Sequence, residues 1–180
     1  MKTVAITGHS DGLGSSLAHT FDREGWTILG FSLPEFDIMD NEQRLKILIG
    51  ATNADVFINC AYSRNKHDMS QVHMFAMMYD MWKNQEKHIV NSGSIVPSWT
   101  TSLFERDRSL YRAGKAALDA SAEEAAMLKN KCRVTNVRPD WIGRYPNILK
   151  ATDVSDLVYQ IVRLGTTITV TSISLKGTIQ

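Results

Sequence analysis

The chain has 180 residues, of which 43% are hydrophobic and 22% are charged, as expected for one globular domain spanning residues 1–180. Its 20 basic and 19 acidic side chains leave a formal net charge of +1, which argues against a general binder of nucleic acids or other polyanions. No run reaches the ~18 apolar residues of a membrane span, and the apolar run in Met1–Thr7 is too short for a signal peptide. We therefore expect a cytoplasmic protein without a membrane partner.

Apolar strands and amphipathic helices alternate along the chain. In chain order we predict strand Val4–Thr7, helix Leu13–Glu24, strand Thr27–Phe31, helix Asn41–Ile49, strand Asp55–Cys60, helix Met69–Lys83, strand His88–Asn91, helix Leu110–Lys129, strand Arg133–Arg138, helix Val154–Leu164 and strand Ile168–Ile173. In the second helix, Leu45, Leu48 and Ile49 are expected to face the core, with Asp40 or Asn41 as the N-cap. Such alternation specifies βαβ units, so we predict a single-domain α/β fold. It is a Rossmann-type, doubly wound parallel sheet with helices on both faces.

The turn after the first strand carries three glycines, in the run Thr7-Gly8-His9-Ser10-Asp11-Gly12-Leu13-Gly14. Gly8 is expected to permit a tight turn, Gly12 to let a pyrophosphate approach the backbone, and Gly14 to let the first helix pack closely. The free N–H groups at the start of that helix would then face the phosphates. The strand–loop–helix context favours a dinucleotide site, although the spacing is GxxxGxG and not GxGxxG.

The longest predicted helix begins with Tyr111-Arg112-Ala113-Gly114-Lys115, a YxxxK sequence. The spacing of four residues places the phenol and the ammonium on one face of the helix, one turn apart. A free tyrosine has a pKa of about 10 and is a poor base at neutral pH, whereas a nearby lysine stabilises its phenolate. The pair therefore indicates general acid–base chemistry.

Together, the TGxxxGxG turn and the YxxxK pair resemble the short-chain dehydrogenase/reductase family, and the likeness extends from Thr3 to about Ser174. Asn59-Cys60-Ala61 resembles the family's NNAG motif, with Cys60 for its second Asn and Tyr62 for its Gly. Asp37-Ile38 matches the acidic and apolar pair that the family places beside adenine. The first half is also similar to sugar-nucleotide reductases that make dTDP-rhamnose.

After the fifth strand the match is looser. Pro139 matches the first residue of the family's PGxxxT motif, and the backbone of Ile142 is expected to meet the nicotinamide carboxamide. Asp140 and Arg144 replace the Gly and the Thr. Only residues 145–152 are available where the family carries a long substrate-covering insertion, so we expect a site that is open or completed by a partner subunit.

The resemblance implies that Tyr111 exchanges a proton with a substrate oxygen during hydride transfer, while Lys115 also holds the nicotinamide ribose. It places a catalytic serine after the fourth strand. Ser94 matches the family motif, and Ser98 is the alternative because its distance from Tyr111 in sequence is more typical. Where the family has an Asn in the helix after NNAG, His73 either replaces it or is a partly exposed helix residue.

The cofactor implied is NAD or NADP. Ser32 follows the second strand, where an acid would favour NAD and an arginine NADP, so the preference stays open. The residues expected to bind the cofactor are Gly8, His9, Ser10, Asp11, Gly12, Leu13, Gly14, Ser32, Asp37, Ile38, Asn59, Cys60, Ala61, Tyr111, Lys115, Pro139 and Ile142.

We therefore expect an oxidoreductase that interconverts a small-molecule carbonyl and alcohol. The alternatives are a dinucleotide-binding sensor or structural protein with little catalysis, and a sugar-nucleotide reductase or epimerase. The cysteines, Cys60 and Cys132, are predicted to be reduced core thiols, and no Cys/His spacing matches a metal site. The methionine-rich helix favours a helix–helix oligomer interface. Together with the small residues after Lys115 it resembles the family's four-helix dimer interface, which implies a homodimer or homotetramer.

Overall fold

A computed structural model describes residues 1–62, 69–95, 109–140, 142–143, 149–165 and 167–177. These residues form six strands and five helices in alternation, as the sequence predicts. The strands are β1 (Thr3–Thr7), β2 (Thr27–Phe31), β3 (Val56–Asn59), β4 (His88–Ser92), β5 (Arg133–Pro139) and β6 (Ser172–Leu175). The helices are α1 (Gly12–Arg23), α2 (Asn41–Gly50), α3 (Ser70–Trp82), α4 (Ser109–Met127) and α5 (Ala151–Arg163).

The strands form one parallel sheet in the order β2-β1-β3-β4-β5-β6. One apolar cluster packs α2, α3 and α4 against one face, and a second packs α1 and α5 against the other. This is the predicted doubly wound architecture. The strand order reverses between β1 and β3, and such a switch point is where open α/β sheets bind ligands, beyond the carboxyl ends of the strands.

Side-chain caps and a glycine define the ends of the first two helices. The Asp11 carboxylate accepts from the Gly12 N–H at 2.7 Å and begins α1, and Gly25, with φ +79°, follows its end. Asp40 is the N-cap of α2, because its carboxylate accepts from the N–H groups of Glu42 and Gln43 at 2.8 and 3.1 Å.

The predicted inner face of α2 is wrong at two positions. Leu45 and Ile49 are 43% and 73% exposed, whereas Ile47 is buried and Leu48 partly buried. The ring of Phe31 lies against Gly50, so the face of α2 that carries Ile47 turns inward. The spacing of the apolar residues correctly predicts a helix, but contact with β2 decides which face of that helix turns towards the core.

The last strand begins four residues later than predicted, at Ser172 and not at Ile168. The Ile168 N–H donates to the Gly165 carbonyl in a turn, and the Thr135 hydroxyl donates to the Val170 carbonyl. Regular pairing with β5 starts only where Asn136 meets Ser172.

Several methionines of α3 contribute to the core. Met74 and Met78 are fully buried beside Trp82, whereas Met69, which precedes the helix, is 39% exposed. Cys132 is also buried, and burial raises the pKa of its thiol to about 12. No helix in the described ranges is long and apolar enough to cross a membrane. The same ranges contain no group of three or more His, Cys, Asp or Glu side chains arranged to hold a metal ion.

Candidate active site

The carboxyl ends of β1, β3 and β4 lie side by side, because Thr7 pairs with Asn59 and Asn59 with Asn91. The buried Thr7 hydroxyl accepts from the N–H groups of Cys60 and Ala61 at 3.0 and 3.1 Å. It thereby fixes the chain that leaves β3 beside the turn that leaves β1. The two segments predicted to bind a dinucleotide are in contact at the switch point of the sheet.

Each of the three glycines in the first turn is required for a different structural reason. Gly8 has φ +71°, and a Cβ there would lie 3.0 Å from the Cα of Ala61. A Cβ on Gly14 would overlap the Gly8 carbonyl oxygen, so α1 packs directly on the turn. Gly12 has φ +53°, and a Cβ there would meet no atom of the described residues within 4 Å. The backbone at Gly12 therefore faces open space at the start of α1.

Polar side chains surround this glycine turn. Asp11 is exposed, and its carboxylate occupies the Gly12 N–H, which places a negative charge where a phosphate would approach. Ser32, just after β2, accepts from the Ser10 N–H at 3.2 Å and is hydrogen-bonded to His9 Nδ1 at 2.8 Å. This end of β2 carries neither the acid nor the arginine that would select between NAD and NADP.

Four further residues predicted to bind the cofactor lie outside the glycine turn. Asp37 is partly buried, and its carboxylate accepts from the Met39 N–H at 2.9 Å. The side chain of Ile38 is buried in the core beneath α2. Pro139 ends β5 at the same sheet edge as Asn59, and Ile142 forms an isolated parallel bridge with Leu149.

The Lys115 side chain is held in the interior, with 4% of its surface exposed. Its ammonium donates to Gln71 Oε1 at 2.8 Å and to the Ser92 carbonyl at 2.7 Å. Burial lowers the pKa of Lys115 from its ordinary 10.5 to about 8, so the group is mostly charged at neutral pH. A lysine of this kind is a buried cation at the edge of the sheet.

Two tyrosine rings lie against this cation. The Lys115 Nζ atom is 5.0 Å from the ring centre of Tyr62 and 5.8 Å from that of Tyr111. The two rings meet edge to face, with centres 5.1 Å apart and planes at 83°. Tyr111 and Tyr62 are both partly exposed, and their rings cover the cation.

Ser94 lies two residues beyond the end of β4 and is 5% exposed. At the preceding residue, Gly93, a Cβ would lie 2.6 Å from Asn136 Oδ1. The Asn136 amide donates to the buried carboxylate of Asp119, which stands one turn beyond Lys115 on α4, and burial raises the pKa of Asp119. Ser98, the alternative catalytic serine, lies outside the described residues.

Sequence reasoning missed the contribution of Gln71 and Tyr62. The side chain that α3 places on Lys115 is that of Gln71, whereas His73 is exposed, as its alternative interpretation expects. Gln71 follows Ser70 at the start of α3, but only the register of β3 and β4 shows that this turn meets their carboxyl ends. Tyr62 was noted as a departure from the NNAG motif, and its packing on Lys115 required the fold.

No family model matches the chain, and no curated protein matches it. Solved structures do. It is similar to an alcohol dehydrogenase from Thermococcus sibiricus complexed with 5-hydroxy-NADP, at 16% identity and TM-score 0.81, over 100% of this chain and 98% of that one. A short-chain dehydrogenase/reductase, SDR:Glucose/ribitol dehydrogenase, from Brucella melitensis matches at 14% identity and TM-score 0.79, over 97% and 93% of the two chains.

Serine dehydrogenase from Escherichia coli matches at 17% identity and TM-score 0.77, over 96% of each chain. The likeness thus spans almost the whole of both chains in each comparison. It shows that the chain has the fold found in short-chain dehydrogenase/reductase structures, as the sequence motifs implied.

Proposed function

We propose that this protein is an NAD(P)-dependent oxidoreductase that interconverts a small-molecule carbonyl and alcohol. The observation that supports the proposal is that the glycine turn and the Tyr111–Lys115 pair lie at the same carboxyl edge of the sheet. Ala61 packs on Gly8, and the next residue, Tyr62, packs on the pair. The similar structures are named as dehydrogenases or reductases, and several are complexed with nicotinamide dinucleotides.

The residues at the glycine turn fit a dinucleotide. Open space faces Gly12 at the N-terminus of α1, where backbone N–H groups and the helix dipole favour a phosphate. Gly8 and Ala61 would lie along the same ligand, with Ser32 towards the adenosine end. When bound, the nicotinamide would supply the hydride chemistry.

The protein's own groups would handle the proton. Tyr111 would donate a proton to the substrate carbonyl oxygen, or remove one from the alcohol in the opposite direction. The Lys115 ammonium stabilises the resulting phenolate through space, since its Nζ lies 5.8 Å from the Tyr111 ring centre. Ser94 is proposed to orient the substrate oxygen from the end of β4.

Binding calorimetry with NADH and NADPH tests the glycine turn. We expect Gly12→Ala to abolish binding, because its Cβ would occupy the open space, and to lower stability by roughly 1–2 kcal/mol through the positive φ. Gly25→Ala is the matched control. It has φ +79°, and the described residues leave equally open space around it, but it lies at the far end of α1, so it should have a similar stability loss and unchanged affinity. Equal affinity in wild type and Gly12→Ala would contradict the assignment.

A second candidate is a dinucleotide-binding protein with little turnover. It is favoured by the low exposure of Lys115, which Tyr62 helps to cover. A screen of carbonyl substrates with the reduced dinucleotide separates the two, because this candidate binds the cofactor without oxidising it. Homo-oligomerisation also stays a prediction, which sedimentation analysis would test.

A further inference from the structure

The Gln71 side chain is fixed in a single orientation. Its amide nitrogen donates to the Asn59 carbonyl at 2.9 Å and to the Ser92 carbonyl at 3.1 Å, so both N–H groups are used. Rotation by half a turn would place the amide oxygen against two carbonyl oxygens. The amide oxygen must therefore face the Lys115 ammonium, which it meets at 2.8 Å.

Gln71 is also tied to the sheet through its backbone. The Asn59 amide donates to the Gln71 carbonyl at 2.9 Å, which reciprocates the bond from the Gln71 side chain to the Asn59 carbonyl. Gln71 is 3% exposed, so water does not compete for these bonds. The first turn of α3 is therefore locked to the end of β3, and the acceptor for Lys115 is set before any ligand arrives.

A neutral acceptor has a consequence that a carboxylate would not have. An amide oxygen stabilises an ammonium by hydrogen bonding but leaves its full positive charge to act on neighbouring groups. A glutamate in this place would form an ion pair and cancel most of the field that reaches Tyr111. Glutamine holds the lysine without neutralising it. The titratable groups that also face Lys115 are Cys60, just after β3, and Asp119 on α4; both raise the pKa of Lys115, and neither is altered when Gln71 is replaced.

We propose that Gln71 is a positioning residue that keeps the Lys115 ammonium charged and directed at the Tyr111 side of the site. Its effect on turnover rests on the proposed function, but its effect on the protonation of Lys115 does not. The two can therefore be measured separately.

The direct readout is the pKa of Lys115, followed by NMR titration of protein labelled at the lysine ε-carbon, with the signal assigned by its absence in Lys115→Arg. Gln71→Met removes the acceptor, and we expect the pKa to fall by at least about one unit. Gln71→Glu introduces a negative charge, and the pKa should rise by a similar amount or more. His73→Met is the matched control, because it changes an exposed residue of the same helix. In this variant the pKa of Lys115 should keep its wild-type value.

Gln71→Asn serves as a second variant, because it retains an amide but shortens it by one methylene. It should also lower the pKa of Lys115, and it guards against loss of folding in Gln71→Met. The inference would be overturned if the pKa of Lys115 in the folded variants Gln71→Glu and Gln71→Asn stayed within a few tenths of a unit of the wild-type value. Gln71 would then be a structural residue.

Kinetics then relate the inference to the proposed function. If turnover is found, the alkaline limb of the kcat profile should move with the NMR titration, down in Gln71→Met, while the substrate KM changes little. Gln71→Glu should lower kcat although its lysine is more fully protonated. If wild type shows no turnover but the titrations shift as expected, the proposed function fails and the positioning role of Gln71 stands.

Discussion

Removing the buried ammonium should change how stability depends on pH. The change is Lys115→Met, which keeps a long side chain in the same space. In the folded protein the pKa of Lys115 is about 8, whereas its ordinary value in the unfolded chain is 10.5. Between these two pH values the unfolded chain binds more protons than the folded protein does. The free energy of unfolding therefore increases as the pH rises. From about pH 7 to about pH 9.5, wild type should gain about 2 kcal/mol of unfolding free energy relative to Lys115→Met, which lacks the titrating group.

Urea unfolding at the two pH values, followed by circular dichroism, gives the four free energies required. Lys129→Met controls for the loss of one positive charge, because Lys129 is exposed just beyond α4. That variant should follow wild type between the two pH values. Parallel changes in wild type and Lys115→Met would show that the ammonium is not desolvated in the folded protein, and the physical description of the site would have to be given up.

Four further outcomes are expected. Gly14→Ala should lower the unfolding free energy measured in urea by about 1–3 kcal/mol, because its Cβ overlaps the Gly8 carbonyl; unchanged stability would contradict this. Asp11→Asn keeps the helix cap but removes a charge, so calorimetry should show roughly 3–10-fold tighter dinucleotide binding at low salt, and no gain would count against a phosphate at this position. Tyr62→Leu should lower the pKa of Lys115 by about half a unit or more by NMR titration, whereas Tyr62→Phe should retain most of the wild-type value; equal values in the two variants would exclude a role for the ring face. The kcat profile should fall above about pH 8, where Lys115 loses its charge, and a flat profile to higher pH would separate turnover from this lysine.

The order of the strands and helices could be predicted because each buried element has its own hydrophobic period. β2, β3 and β4 lie at or within two residues of their predicted bounds. The sequence pattern of a single element gave the wrong prediction where contacts with a neighbouring element decide which residues are buried or where a strand begins. Ile47, and not Ile49, faces the core because α2 packs on Phe31, and the start of β6 is set by its register with β5.

The site shows the same division. Motifs predicted the glycine turn and the Tyr111–Lys115 pair as candidate site residues, because their chemistry depends on spacing along one turn or one helix, and the structure brings both to the same edge of the sheet. Gln71 could not be found in this way, because its partners lie on β3, β4 and α4.

The most direct test of the central claim is turnover by Tyr111→Phe, measured with a carbonyl substrate and the reduced dinucleotide that wild type oxidises. The phenylalanine ring preserves the packing against Tyr62 and removes only the ionisable hydroxyl. We predict that kcat falls by roughly 10²–10⁴-fold while the dissociation constant of the dinucleotide is unchanged. Turnover at the wild-type rate would contradict an acid–base role for Tyr111 and with it the proposed chemistry of this site.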